Sequence, residues 1–195
     1  KNIIEIGAHM GSSTLIYSRY TNKKVYAYEP QQKMFQLLER NITQNNIKNV
    51  EIFNKAIFYK NGNTFMDSLN THKIDTRGFN RGGLSLGSIE AGGEETEIIN
   101  LDSLNIDAGF LHIDAQGAEQ GIIYGGQNFI KRNLPTILYE DNFNDEKSLV
   151  DRVNLDKSIP QEVKNFNIDN FLKKLNYTLH KKWAGIDTLA IPPIA

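Results

Sequence analysis

The chain contains no cysteine, so neither a disulfide framework nor a thiolate metal site is open to it, and a cytoplasmic setting is the expectation. No apolar run reaches the about 20 residues that a membrane-spanning helix needs, so no membrane partner is expected. Neither sign of charge dominates. The 22 Lys and Arg stand against 23 Asp and Glu, which removes the electrostatic case for nucleic acid as the main partner. Repeats and low-complexity linkers are missing too. The 195 residues therefore read as one domain, 1–195, with enough chain to bury a sizeable core.

What is present alternates. Asn2-Ile3-Ile4-Glu5-Ile6-Gly7 reads as a buried strand ending at a glycine turn, and Ser12-Ser13-Thr14 supply N-cap chemistry for a helix through about Tyr20. Val25-Tyr26-Ala27-Tyr28-Glu29 is a second strand, stopped by Pro30. Apolar Met34, Phe35, Leu37, Leu38 and Ile42 recur at helical spacing. Val50 to Phe53 is a third strand. A β-α-β-α-β order of this kind predicts a parallel sheet with helices on its faces.

The middle breaks the rhythm. Ala56 to Tyr59 and Thr64 to Met66 flank Asn61-Gly62-Asn63, which predicts a hairpin. Six glycines between Gly78 and Gly93, led by Arg77 and Arg81, predict a loop. Gly109 to Asp114 is a fourth parallel strand, Ala118 to about Arg132 one helix, and Pro135 to Glu140 a fifth strand. After a helix from Ile168 to Leu175, Tyr177 to Trp183 and Ile186 to Ile191 predict an antiparallel hairpin at the sheet edge. Trp183 and Tyr177 are expected to pack that hairpin. The cofactor half is expected at about 1–60, with acceptor-side loops at about 60–96 and 142–165.

The turn after the first strand is where such a sheet binds ligand. Gly7 permits a sharp turn, and Gly11 lets backbone approach a ligand at the head of the next helix. The spacing Gly-x-x-x-Gly lacks the glycine that makes room for a pyrophosphate. Glu29, ending the second strand, can accept hydrogen bonds from two ribose hydroxyls. A ribose without a pyrophosphate points to S-adenosyl-L-methionine (SAM) and away from a nicotinamide dinucleotide.

Leu101-Asp102-Ser103-Leu104, then His112-Ile113-Asp114-Ala115-Gln116-Gly117-Ala118-Glu119 and Gly125, resembles the signature of FkbM-family methyltransferases. The resemblance also takes in Glu5 to Gly11, Glu29-Pro30, Asn46, Ala56, Gly83-Leu84-Ser85 and Pro135 to Glu140, most of residues 2–140 in order. It implies a Rossmann-like class I α/β fold: a mostly parallel seven-stranded sheet with an antiparallel C-terminal hairpin and helices on both faces. It implies SAM-dependent O-methylation, here of a small-molecule or glycan hydroxyl. It also implies that Glu5, Gly7, Ala8, Gly11, Glu29 and Pro30 hold the cofactor, with Ala56 near the adenine and Asp114 and Gln116 beside the methyl donor. Two positions depart from the family's Lys-Ile-Asp-Val-Glu-Gly-x-Glu: His112 stands for Lys, and Gln116, which cannot act as a base, for Glu.

A hydroxyl acceptor must lose a proton as its oxygen attacks the methyl group. His112 and Asp114, two apart on one strand and so on one face, are the candidate pair. Glu140, at the family's own acidic position, is the third expected active-site contact. Asp114, Asp141 and Asn142 form an alternative oxygen set for Mg²⁺ or Ca²⁺, which would acidify the acceptor hydroxyl directly. Two other functions stay open: an RNA ribose methyltransferase, against which the balanced charge weighs, and a SAM-binding module with little turnover, which Gln116 and His112 raise.

Overall fold

The computed structural model describes residues 1–66, 86–87, 94–141, 159–183, 185 and 187–194. Strands β1 (Asn2–Ile6), β2 (Val25–Tyr28) and β3 (Val50–Phe53) alternate with helices α1 (Ser12–Tyr20) and α2 (Gln32–Gln44) as the periodicity predicts. Further strands β4 (Ala56–Phe58), β5 (Gly62–Met66), β6 (Leu86–Gly87) and β7 (Glu94–Asn100) precede β8 (Ala108–Ile113). Then come α3 (Glu119–Tyr124), α4 (Gln127–Asn133), β9 (Thr136–Glu140), α5 (Gln161–Lys164), α6 (Ile168–Lys174), β10 (Thr178–Lys181) and β11 (Asp187–Ile191).

Seven strands form one sheet in the order β10-β11-β9-β8-β1-β2-β3. β1 pairs in parallel with β2 and β8, and β8 with β9. β11 runs antiparallel to both β9 and β10. The expected hairpin is therefore present, with β10 at the edge and β11 inserted beside β9. A buried cluster lies on each face. Ala27, Leu38 and Ile42 pack with Leu15 and Phe35 beneath α1 and α2. Ile4, Ile6, Leu111, Ile113, Ile137 and Tyr139 form the larger core on the other face, with Ile122, Ile123, Phe171 and Leu172 from α3 and α6. Among the described residues no helix is long and apolar enough to cross a membrane.

Two expectations in the middle are corrected. β4 and β5 do not pair with each other: β7 lies between them, parallel to β4 and antiparallel to β5, in a second sheet ordered β4-β7-β5-β6. A turn sequence encodes the reversal of the chain but not whether a later strand slips between its arms. The single helix expected over 118–132 is two, because a distant carboxylate caps the second. Asp102 accepts from the Phe129 N–H (2.6 Å) and the Asn128 amide (2.9 Å), satisfying the start of α4. The break passes close under β4. A Cβ on Gly125 would lie 2.6 Å from the Phe58 carbonyl oxygen, so only glycine fits there.

Residues paired across strands project to the same face of a sheet. The pairings Ala27–Glu5–His112–Leu138–Leu189–His180 thus run as one row across six strands. Two residues further along, on the same face and toward the carboxyl ends, come Glu29, Gly7, Asp114, Glu140 and Asp187. This second row is where an open α/β sheet presents its crevice.

Candidate active site

The loop from β1 to α1 is held from both sides. The Gly7 and Ala8 N–H groups donate to the Tyr28 carbonyl, each at 3.0 Å, and the His9 N–H donates to Glu29 Oε2 at 2.7 Å. Gly7 adopts φ +84°, and a Cβ there would lie 1.8 Å from the Asp114 carbonyl oxygen. No other residue can turn so close to β8. Gly11 stands at the helix start with φ +93° and no side-chain cap, so the N-cap position falls before Ser12-Ser13-Thr14, which were expected to supply it. Instead the Thr14 hydroxyl donates to Glu5 Oε2 at 2.5 Å, lacing α1 to β1 beneath the loop.

Glu29 is buried at 3% exposure, yet both its oxygens face the loop backbone, accepting from His9 N and Gln31 N (2.8 Å). Burial pushes its carboxyl up to about 7, against those two hydrogen bonds, with Asp114 and Glu5 adding a like-charge push. Each carboxylate oxygen has a second lone pair, so a vicinal diol can still be accepted. The Asn54 amide ties the end of β3 to Glu29 and Pro30 through their carbonyls, at 2.9 and 3.0 Å. Ala56 and Ala8 are buried in the walls beside this corner. Two polar atoms here are buried without a partner among the described residues, His9 Nε2 and Gln31 Oε1. Left so they are costly, which suits a pocket completed by a polar ligand. The residues of this corner offer the acceptors and the polar lining that an adenosine-bearing cofactor requires.

Past β8 the chain turns through Gln116 and Gly117, with φ of +52° and +96°. That turn aims the Gln116 amide back at the carboxylate row, donating to Asp114 Oδ1 at 2.9 Å and to Glu140 Oε2 at 3.3 Å. Gln116 is therefore a donor linking two acids, where a third carboxylate would repel both. Glu119 opens α3 fully buried; burial raises its carboxyl to about 8, while the Ala115 N–H donates to it at 2.9 Å.

His112 lies behind this row. Its Nδ1 is buried, makes no hydrogen bond among the described residues and faces Glu5 Oε1 at 3.7 Å, while the side chain keeps 15% exposure. The Tyr17 ring stands edge-on to the imidazole, with centroids 5.7 Å apart. Burial and the charges of Glu5, Asp187 and Asp114 push the Tyr17 phenol up to about 12. The carboxylate nearest His112 is thus Glu5, and Asp114 is drawn instead to Gln116.

Asp141 does not join Asp114. It follows Glu140 and so projects to the opposite face, where it accepts from Lys181 Nζ (2.5 Å) and the Thr188 hydroxyl (3.0 Å). Among the described residues no group of three acids or histidines could hold a metal ion, and the proposed Mg²⁺ or Ca²⁺ set gains no support. Asn142, Arg77 and Arg81 lie outside the described residues. Thr14, Tyr17 and Asp187 were missed as site residues, because only the sheet order brings α1 and β11 to the end of β8.

A parallel sheet that reverses at its penultimate strand, with a Gly-x-x-x-Gly turn and a ribose-ready acid on the next strand, defines a class I SAM-dependent methyltransferase domain. The family model of the methyltransferase FkbM domain matches residues 5–179, and the chain belongs to that family. Among solved structures it is similar to methyltransferase FkbM from Methylobacillus flagellatus KT. That likeness has 14% identity and a TM-score of 0.56, and covers 97% of this chain and 43% of that one. It is also similar to a Staphylococcus aureus protein assigned as a caffeoyl-CoA O-methyltransferase, at 14% identity and TM-score 0.51, covering 99% of this chain and 76% of that one. The chain thus spans less than half the length of the Methylobacillus protein. No curated protein matches the sequence.

Proposed function

We propose that this chain, acting as one domain, transfers the methyl group of SAM to a hydroxyl oxygen of a small molecule or glycan. The observation that carries the reading is the second row. Glu29, the Gly7 turn, Asp114 and Glu140 occupy one line on one face, from a ribose-binding acid to a pair of acids beyond it. When bound, SAM supplies an electrophilic methyl group and leaves as neutral S-adenosyl-homocysteine (SAH). Glu29 holds the donor at one end of the line, with Gly7, Ala8, Gly11 and Pro30 shaping its seat and Ala56 near the adenine. Glu5 braces that seat from below through Thr14. Asp114, spaced from Glu140 by Gln116, accepts the hydrogen bond that the acceptor hydroxyl donates and orients its lone pair for in-line attack, with Glu140 lining the same site. Asp114, or His112 behind it, would take the hydroxyl proton as the acceptor oxygen is methylated. Much of the acceleration is positioning, so a weak base suffices.

The test is SAH release across a panel of hydroxyl acceptors. Asp114→Asn is expected to lower kcat about hundredfold. Turnover undiminished by Asn would remove Asp114 from the reaction.

A further inference from the structure

The hairpin between β10 and β11 carries an exposed aromatic that its own fold does not use. Trp183 was expected to pack with Tyr177, but Tyr177 is buried and donates its hydroxyl to the Pro135 carbonyl at 2.8 Å. Trp183 is 62% exposed. Among the described residues its one ring contact is edge-on to His180, with centroids 6.0 Å apart. Burying a Trp side chain normally contributes about 2–3 kcal/mol, which this one forgoes.

The position of the ring is what matters. His180 belongs to the first row, on the face shared with Glu5 and His112, so its neighbour Trp183 lies on that face as well. The Trp183 N–H donates to the Asp187 carbonyl at 2.9 Å, closing the turn. Asp187 pairs with Glu140, and Glu140 shares the Gln116 amide with Asp114. The second row therefore continues past the reacting end onto the hairpin and finishes at an open indole. Lys181, the hairpin's basic neighbour, is turned to the opposite face by Asp141 and Asp169.

Resting on the reading that the methyl donor occupies the Glu29 end, we propose that Trp183 and Asp187 form an acceptor subsite for a saccharide ring. A pyranose has an apolar C–H face, which stacks on an exposed indole, and hydroxyls around its edge, which donate to a carboxylate. Trp183 and Asp187 are joined by the backbone hydrogen bond that closes the turn, and Asp187 continues the second row from Glu140 and Asp114, where a further hydroxyl would be accepted. A cation would also be attracted to Trp and Asp; the acids of the second row, Asp187 paired with Glu140 and Glu140 joined to Asp114 through Gln116, can each accept from a different hydroxyl of one polyol.

Trp183 is the chain's one tryptophan, so its fluorescence reads this subsite directly. Methyl glycosides of common hexoses and 6-deoxyhexoses are titrated into the protein with saturating SAH, then with choline as the cationic probe. Quenching or a blue shift by at least one glycoside, and none by choline, is expected. Saturation-transfer NMR should report the same glycoside on wild type and lose it in Trp183→Ala. Asp187→Asn should weaken it about tenfold or more, with the SAH-induced rise in melting temperature retained in both variants. The proposal is overturned if no glycoside perturbs Trp183, if choline alone does, or if Trp183→Ala binds glycoside as wild type does. Absence of an SAH-induced melting shift would tell against the cofactor assignment instead, since the glycoside titration reads out without it.

Discussion

Glu29 should make cofactor affinity depend on pH near neutrality, and the size of the effect follows from its surroundings. The carboxyl is buried and raised to about 7, so the empty site carries it about half ionised at pH 7. Ribose hydroxyls donate to it and so favour the ionised form. At pH 6 about one molecule in eleven has Glu29 ionised, and at pH 8 about ten in eleven. SAH should therefore bind about tenfold more tightly at pH 8 than at pH 6, or about 1.4 kcal/mol. Burial lowers His9, the nearest other group in the loop, below its usual value, which keeps it from adding a second titration at pH 7. Isothermal titration at pH 7 in two buffers of different ionisation enthalpy should show about half a proton released per SAH bound. Glu29→Gln should abolish both the pH dependence and the proton release, and lose about tenfold in affinity at pH 8. Wild-type affinity that stays flat from pH 6 to pH 8 would refute the assignment of Glu29 to the ribose.

Glu119 gives a stability counterpart. Its folded-state value of about 8 lies above the usual carboxyl value, so the unfolded chain loses its proton first, and the fold loses stability as pH rises from about 4.5 to 8. Denaturation of Glu119→Gln against wild type should shift in favour of Gln by about 3 kcal/mol between pH 5 and pH 8; a pH-independent difference would mean that Glu119 ionises freely. Gly7→Ala places a methyl group 1.8 Å from the Asp114 carbonyl at a left-handed φ. It should cost about 3 kcal/mol or more in urea unfolding and remove SAH binding; a near-neutral variant would show that the turn relaxes.

Much of the site could be read before any contact was known. Glu5, Gly7, Gly11 and Glu29 follow from a strand, a turn and the end of the next strand, each a local feature. Asp114 and Gln116 follow from a family-like run of eight residues. The meaning of Gln116 does not: its amide joins Asp114 to Glu140 only because β8 and β9 are neighbours. Asp141 and Glu140 look equivalent in sequence, yet one residue of strand alternation sends Asp141 to Lys181 on the far face. His112 was matched to Asp114 by spacing, while the adjacent strand supplies Glu5 instead.

By itself the sequence determined the order of strands and helices, the glycine turn and the acid that follows it. Those depend on periodicity, backbone conformation and turn chemistry within a few residues. Tertiary structure alone decided that β7 divides β4 from β5, that Asp102 breaks the helix after Gly125, and that β11 lies beside β9. It alone carried Tyr17 and Asp187 to the neighbourhood of β8. A residue's own neighbours set which face it occupies; which strand lies next to that face depends on long-range hydrogen bonding and burial, which no local pattern encodes.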